Sequence, residues 1–353
     1  NNLIKIVTGI RRSGKSFLLF NLFHNHLIET GISEDHIIEI ALDDRLNKNL
    51  RDPDVILQHI HERIVDDKLY YIILDEVQMI DEFTDVLNSL LHIRNADVYV
   101  TGSNSKFLSK DVVTEFRGRG DEIHLFPLSF AELYNSIGGD KFELWKSYYT
   151  YGGLPGILEL DSEKKKAAYL RSLHETVYLK DIIERNNLKN REEFMELMRV
   201  MASCIGSPCN PSKLENTFKS VKNETLDRKT ISKYLSYMED AFLIEKSMRY
   251  DIKGRKYIGT LSKYYFQDIG LRNALLNFRQ VEENHIMENV IYNELRLRGF
   301  CVDVGMVEAR TAKERKQLEV DFVANMADRR YYIQSAFAMP DDDKREQECA
   351  SLK

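Results

Sequence analysis

The chain has 353 residues, enough for two or three domains at about 150 residues each. Acidic residues outnumber basic ones, 56 to 50, for a formal net charge of −6; this excludes an overall basic coat for indiscriminate nucleic-acid binding but leaves room for a local basic patch. With 43% hydrophobic residues and only 17 glycines and 6 prolines the chain can bury large cores, which excludes disorder and fibrous repeats.

In chain order, residues 3–8 read as a short strand, followed by a glycine turn and an apolar segment at 16–28. That segment is hydrophobic almost all round, which predicts a helix buried against a sheet. β-rich runs follow at 36–42, 70–75, 97–102 and 122–126, separated by helix-like stretches at 53–66, 82–93 and 105–116. Such alternation predicts an α/β fold with a doubly wound parallel sheet. After Pro127 the pattern turns helical, and Ser129 with Glu132 forms an S-x-x-E capping box that opens a helix near 130. The run Gly152-Gly153-Leu154-Pro155-Gly156 is a break, and helices are expected at 162–186, 191–205, 211–221 and 228–242. Two β runs at 243–250 and 255–266 flank the turn Asp251–Gly254, and this hairpin carries Lys246, Arg249, Lys253, Arg255, Lys256 and Lys263. A helix at 284–298 and strands at 300–307, 317–324 and 330–337 complete the reading.

A membrane helix needs about 20 apolar residues, and the longest apolar stretch, Phe17–Phe23, already contains Asn21. Cys204 and Cys209 form a C-x4-C pair with no second pair or nearby histidine pair, while Cys301 and Cys349 stand apart; zinc is not expected, and the protein reads as cytoplasmic. The chain starts at Asn1 without Met, almost directly before the glycine turn, and is expected to be a piece of a longer protein.

The most specific signal is Gly9-Ile-Arg11-Arg12-Ser13-Gly14-Lys15-Ser16, which matches G-x-x-x-x-G-K-[ST] between a strand and a helix. Backbone N–H groups and a helix N-terminus in that context cradle phosphates, Lys15 reaches the β/γ oxygens, and the Ser16 hydroxyl can ligate Mg²⁺. The stretch from Gly9 to Gly14, with Lys15, Ser16 and Phe17, is therefore the expected ATP/ADP site. The apolar strand Tyr70-Tyr-Ile-Ile-Leu-Asp75-Glu76 ends in two acids. Asp75 is placed to hold the Mg²⁺ shell, and Glu76 to activate a water as general base. At the end of run 97–102, Ser103 and Asn104 either sense the γ-phosphate or cap the next helix. Arg117 and Arg119 are either a solvated pair or an arginine finger acting in trans on a neighbouring subunit.

The strings VTGIRRSGKS, DEVQ, TGSNSK and FRGR…PLSFAEL resemble a widespread family of prokaryotic AAA+ ATPases that carry a C-terminal domain of unknown function. The resemblance covers essentially the whole chain. It implies a P-loop NTPase domain at 1–127, a helical lid at 128–188, a winged-helix domain at 189–266 and a smaller α/β domain at 267–353. It also implies ATP/ADP and Mg²⁺ at Lys15, Ser16, Asp75 and Glu76, the first sensor at Ser103 and Asn104, and a finger at Arg119 or Arg117, hence a homo-oligomer.

The helices from 191 to 242 with the basic hairpin look like a winged helix-turn-helix. Apolar residues at Ile231, Leu235, Met238 and Phe242 mark one buried face, leaving Arg228, Lys229, Ser232 and Lys233 outward. With Arg255 and Lys256 on the wing, these cations suit phosphates of double-stranded DNA, although such modules also dock protein partners. The tail resembles the restriction-endonuclease-like fold, with Glu288 as the helix acid, Asp321 as the strand acid and Gln334 opening the E/Q-x-K strand. Ala336 stands where the lysine belongs, Tyr331–Ala338 offers no other cation, and the tail is expected not to cut DNA. Three readings remain: an ATPase switching a DNA- or protein-binding half, a nucleotide-switched scaffold that never touches DNA, and an ATP-coupled nuclease.

Overall fold

The computed structural model describes residues 3–102, 120–222, 226–279, 282–310, 315–336, 339, 341–349 and 351. The chain divides into two compact units, Asn1–Phe126 with Asp240–Phe242, and Pro127–Glu239 with Leu243–Lys353.

The first unit is built on strands β1 (Ile4–Thr8), β2 (Ile37–Ala41), β3 (Tyr70–Asp75), β4 (Ala96–Thr101) and β5 (Gly120–His124), in the order β2-β3-β4-β1-β5. All neighbours are parallel, so both faces need cover and the inner strands read as continuous apolar runs. On one face Ile4, Ile6, Ile38, Ile40, Ile72 and Leu74 pack against Ile56 and Ile60 of the helix Pro53–Arg63 and Leu87 and Leu90 of the helix Phe83–Leu90. Asp52 caps the first of these helices by accepting from the N–H groups of Asp54 and Val55, with Pro53 in the first turn, where its missing N–H costs nothing.

On the other face Val7, Ile37 and Ile73 meet Leu19 and Leu27. The segment after the glycine loop is helical and packs against the sheet, as expected. It winds as α-helix (Lys15–Phe17), π-helix (Leu18–Phe23) and α-helix again (His24–Glu29), and the sheet covers a single face. Phe17 is left 59% and Leu22 54% exposed. The helix expected at 105–116 lies outside the described residues.

In the second unit the capping box forms: Glu132 N–H donates to Ser129 Oγ at 3.2 Å and Ser129 N–H to Glu132 Oε2 at 2.8 Å, opening the helix Phe130–Ile137. The glycine run at 152–156 then threads a tight passage. A Cβ at Gly153 would collide with the Leu128 carbonyl, and one at Gly152, whose φ is +77°, with the Asp268 carboxylate. The expected helix 162–186 is three consecutive segments, Glu163–Leu173, a π-helical His174–Leu179 and Lys180–Asn186.

Within the π-helical turn His174 is buried, and its Nε2 has no hydrogen-bond partner among the described residues. Burial, helped by the nearby Arg199 charge, lowers its pKa from 6.5 to about 4. A depressed folded-state pKa favours the native state above pH 6.5 and removes that advantage as pH falls toward 4. Urea titrations are therefore expected to lose up to about 3 kcal/mol across this window. His174→Leu should flatten that acid limb, and an unchanged limb would show that His174 does not govern it.

A second sheet contains β6 (Ile244–Asp251), β7 (Lys256–Phe266), β8 (Cys301–Arg310), β9 (Arg315–Met326) and β10 (Arg329–Ile333), in the order β10-β9-β8-β6-β7. The basic hairpin is β6–β7, and β6 also pairs in parallel with β8 through Arg249 and Val304. Residues on both sides of position 266 thus share one sheet. The helix Glu283–Leu297 lies against it, stacking Tyr292 on Tyr265 with ring centroids 4.1 Å apart, beside Phe322, Val302 and Ala324. The last strand stops at Ile333, short of the expected 337, and a helix follows at Asp342–Cys349.

Candidate functional site

The loop after β1 is shaped by three backbone positions. Gly9 has φ +136°, and a Cβ there would strike the Leu125 carbonyl. Arg12, at φ +66°, and Gly14, at φ +101°, turn the chain so that the helix starts at Lys15. Lys15 is buried, and its Nζ donates to the carbonyls of Gly9 at 2.9 Å and Ile10 at 3.1 Å. Burial lowers its pKa to about 8, opposed by the negative charges of Glu76 and Asp75. Ser13 is buried too, with an Oγ that has no hydrogen-bond partner among the described residues. Arg12, Ser16 and Phe17 are exposed, and Arg11 is half-buried.

Because β4 lies between β1 and β3, the end of β4 stands beside the acidic end of β3. Thr101 exploits that placement. Its Oγ1 donates to Asp75 Oδ1 and accepts the Glu76 N–H at 2.9 Å, so one hydroxyl orients both acids. Asp75 is buried. Glu76 leaves the strand with φ +53°, and its carboxylate accepts from the Gln78 amide. Lys15, Asp75 and Glu76 are thereby within electrostatic reach of one another, with Thr101 as the added member. The run 97–102 marked Thr101 only as a strand tip; the strand order is what gives it a role. Ser103, Asn104, Arg117 and Arg119 lie outside the described residues.

In the second unit Glu288 and Asp321 come together, and Gln334 joins them through its Oε1, which accepts the Asp321 N–H at 3.4 Å. Ser335 donates to Asp321 Oδ2 from both N–H, at 2.8 Å, and Oγ, at 3.0 Å. The strand that carries Ala336 has no lysine of its own, but a lysine from another element stands among these acids. Lys263, from β7, reaches Glu288 at 2.8 Å, Glu319 at 2.8 Å and Asp321 at 3.8 Å, while the Tyr265 hydroxyl donates to Glu288 at 2.7 Å. Lys263, one of the basic residues of the hairpin, is buried, on the face of β7 that it shares with Tyr265, two residues on. Among the described residues no group of three or more His, Cys, Asp or Glu side chains is placed to hold a metal ion.

Of the cations expected to meet a duplex, Lys229, Lys233, Arg255 and Lys256 are exposed. Arg228 is exposed but paired with Glu215, and Lys233 lies over the Tyr237 ring at 5.7 Å. Lys253 of the turn donates to the Glu308 carbonyl at 3.2 Å. Among the described residues no helix is long and apolar enough to cross a membrane.

A family profile described as "AAA domain" matches residues 1–134, and one described as "Domain of unknown function (DUF8612)" matches residues 142–282. The chain is 33% identical over 348 residues to an uncharacterized protein of Haemophilus influenzae, covering 97% of this chain and 84% of that one. It is 30% identical over 340 residues to an uncharacterized protein of Methanocaldococcus jannaschii, covering 91% and 72%. Among solved structures, Cdc6p from Pyrobaculum aerophilum aligns with 81% of this chain and 88% of its own at 12% identity and a TM-score of 0.31. The Aeropyrum pernix Orc1 protein in complex with DNA aligns with 77% and 86% at 12% identity and a TM-score of 0.30.

Proposed function

The chain belongs to a family of AAA+ P-loop proteins whose C-terminal domain has no assigned function, and from that membership we propose that it binds ATP with Mg²⁺ and hydrolyses it to drive or switch a DNA- or protein-binding C-terminal half. The observation that carries this reading is the buried Lys15 ammonium within electrostatic reach of Asp75 and Glu76, the two acids that Thr101 ties together at the ends of adjacent strands. The donors fit a polyphosphate, since Ser13 offers a buried hydroxyl without a partner among the described residues and Lys15 a buried ammonium. Ser16 and Asp75 are hard oxygen ligands that would hold Mg²⁺, which supplies charge neutralisation across the transferred phosphate. Glu76 accepts the proton of the attacking water, with Thr101 holding its backbone N–H in place.

The test of nucleotide binding is a thermal-shift series. ATP or ADP with Mg²⁺ at about 100 times its dissociation constant adds about 2.7 kcal/mol of stability, and Lys15→Ala should abolish the shift. A Lys15→Ala variant with the full shift would refute the assignment.

For the C-terminal half, we propose duplex DNA contact through Lys229, Lys233, Arg255 and Lys256, all exposed. Binding dominated by phosphates weakens steeply with salt, and Lys233→Glu with Arg255→Glu should lower affinity and reduce the salt slope by about one for each phosphate left without its cation. The scaffold reading is favoured by the ties of Arg228 to Glu215 and Lys253 to Glu308, which leave fewer cations for phosphates. It takes precedence if duplex DNA is not retained at about 50 mM salt.

A further inference from the structure

Thr8 is the last residue of β1, directly before Gly9, and it is buried. Ile4, Ile6 and Val7 of the same strand are apolar, and valine, β-branched like threonine, would fill the same space. A buried hydroxyl has to find partners, and this one finds them on the adjacent strand. Thr8 Oγ1 donates to Glu122 Oε1 at 2.8 Å and lies 3.1 Å from Nδ1 of His124, its register partner on β5. A hydroxyl has one hydrogen, so with that hydrogen given to Glu122 it accepts from the His124 Nδ1–H. The imidazole packs in turn on the rings of Phe126, 4.5 Å away between centroids, and Phe242, 5.0 Å away. The backbone repeats the tie. The Leu125 N–H donates to the Thr8 carbonyl at 2.8 Å, and Gly9 runs so close to the Leu125 carbonyl that no Cβ fits. The Gly9 carbonyl then accepts from Lys15 Nζ at 2.9 Å. A path of contacts thus leads from the end of β5 through Thr8 to the carbonyl that holds the lysine.

We propose that Thr8, gripped by Glu122 and His124, is a positioning residue of the phosphate loop: it fixes the Gly9 carbonyl, and through it the Lys15 ammonium, for the phosphates of a nucleotide. This role rests on the stretch from Gly9 to Ser16 being a nucleotide site, and it adds an anchor that lies outside the loop motif. The hydroxyl carries the role, not the bulk of the side chain.

The experiment measures the affinity of the full chain for ATP with Mg²⁺ by nucleotide-binding fluorescence, beside the urea midpoint of each nucleotide-free variant. Thr8→Val keeps the shape and removes the hydroxyl, whereas Thr8→Ser keeps the hydroxyl and removes the methyl. Glu122 is exposed and His124 half-buried, so water can take the place of the lost hydroxyl and Thr8→Val should fold. An ångström of misplacement can cost about 10²-fold; Thr8→Val should raise the dissociation constant about 10-fold, and Thr8→Ser should stay within about 2-fold of the wild type. A role in stability alone gives another pattern, a lower urea midpoint with the native dissociation constant, and that result overturns the proposal. The partners give a second route that decides the matter if Thr8→Val fails to fold. His124→Ala and Glu122→Ala leave Thr8 in place and should each weaken binding several-fold, and His124→Asn, whose amide N–H stands in for Nδ1–H, should restore it. Native affinity in both alanine variants would overturn the proposal. A wild type that binds no nucleotide overturns the assignment of the loop and this role with it, whereas a wild type that binds and a Thr8→Val that binds equally overturn this role alone.

Discussion

Glu76→Gln is expected to leave ATP binding intact while turnover falls by roughly 10²- to 10⁴-fold, the usual contribution of a general base. The amide is isosteric, so the φ of +53° at this position and the N–H donated to Thr101 persist, and the Thr101–Asp75 bond is untouched. What is lost is the capacity to take a proton from water. Phosphate release measured beside nucleotide-binding fluorescence separates the two effects. A Glu76→Gln enzyme that turns over at the native rate would remove the base from Glu76. If an arginine of a neighbouring subunit completes the site, turnover per chain is expected to rise with protein concentration, and Arg119→Ala or Arg117→Ala to abolish that rise.

The largest effect on stability is expected at Asp268. Its carboxylate is buried and accepts the Gly153 N–H at 2.8 Å and the Leu271 N–H at 2.9 Å, pinning the glycine passage to the start of the helix Ile269–Leu275. Asp268→Ala leaves these donors buried without acceptors, at about 1–3 kcal/mol for each, and adds a void beside Gly152. The loss should total about 3–5 kcal/mol, measured as a lower urea midpoint at unchanged slope. Asp268→Asn keeps one acceptor oxygen and should lose less. A midpoint within about 0.5 kcal/mol of the wild type for Asp268→Ala would show that the passage holds without this carboxylate.

What the sequence revealed and what it hid follow one distinction. Features shaped by residues close in the chain were legible: the turn from Gly9 to Gly14, the apolar strand that ends at Asp75, and the Ser129–Glu132 box. Their geometry is set by neighbours a few residues away. Thr101 and Lys263 were not legible in their roles, because each acts on residues brought near by strand order or sheet contact. Thr101 lies 25 residues from the Glu76 amide it accepts, and Lys263 lies 25 residues from Glu288. Composition placed the segment at Phe17–Phe23 against the sheet but did not tell which face the sheet covers, and Phe17 and Leu22 stay exposed. The tail acids Glu288 and Asp321, with Gln334, lie near one another in the structure, but the resemblance gave no hint of a cation arriving from β7.

The parallel pairing of β6 with β8 bears on how this chain can be cut and how it folds. The two strands meet across some 55 residues, as Ser247 Oγ also shows in donating to the Val302 carbonyl. The entropy of closing so long a loop is lost before any ladder hydrogen bond forms, which places this sheet among slow, high-contact-order assemblies. A fragment ending at Phe266 would retain the hairpin but strip β6 of its neighbour, baring a row of unpaired N–H and C=O groups. Such an edge recruits other chains, so aggregation of a shortened protein would report a missing strand and not a missing function.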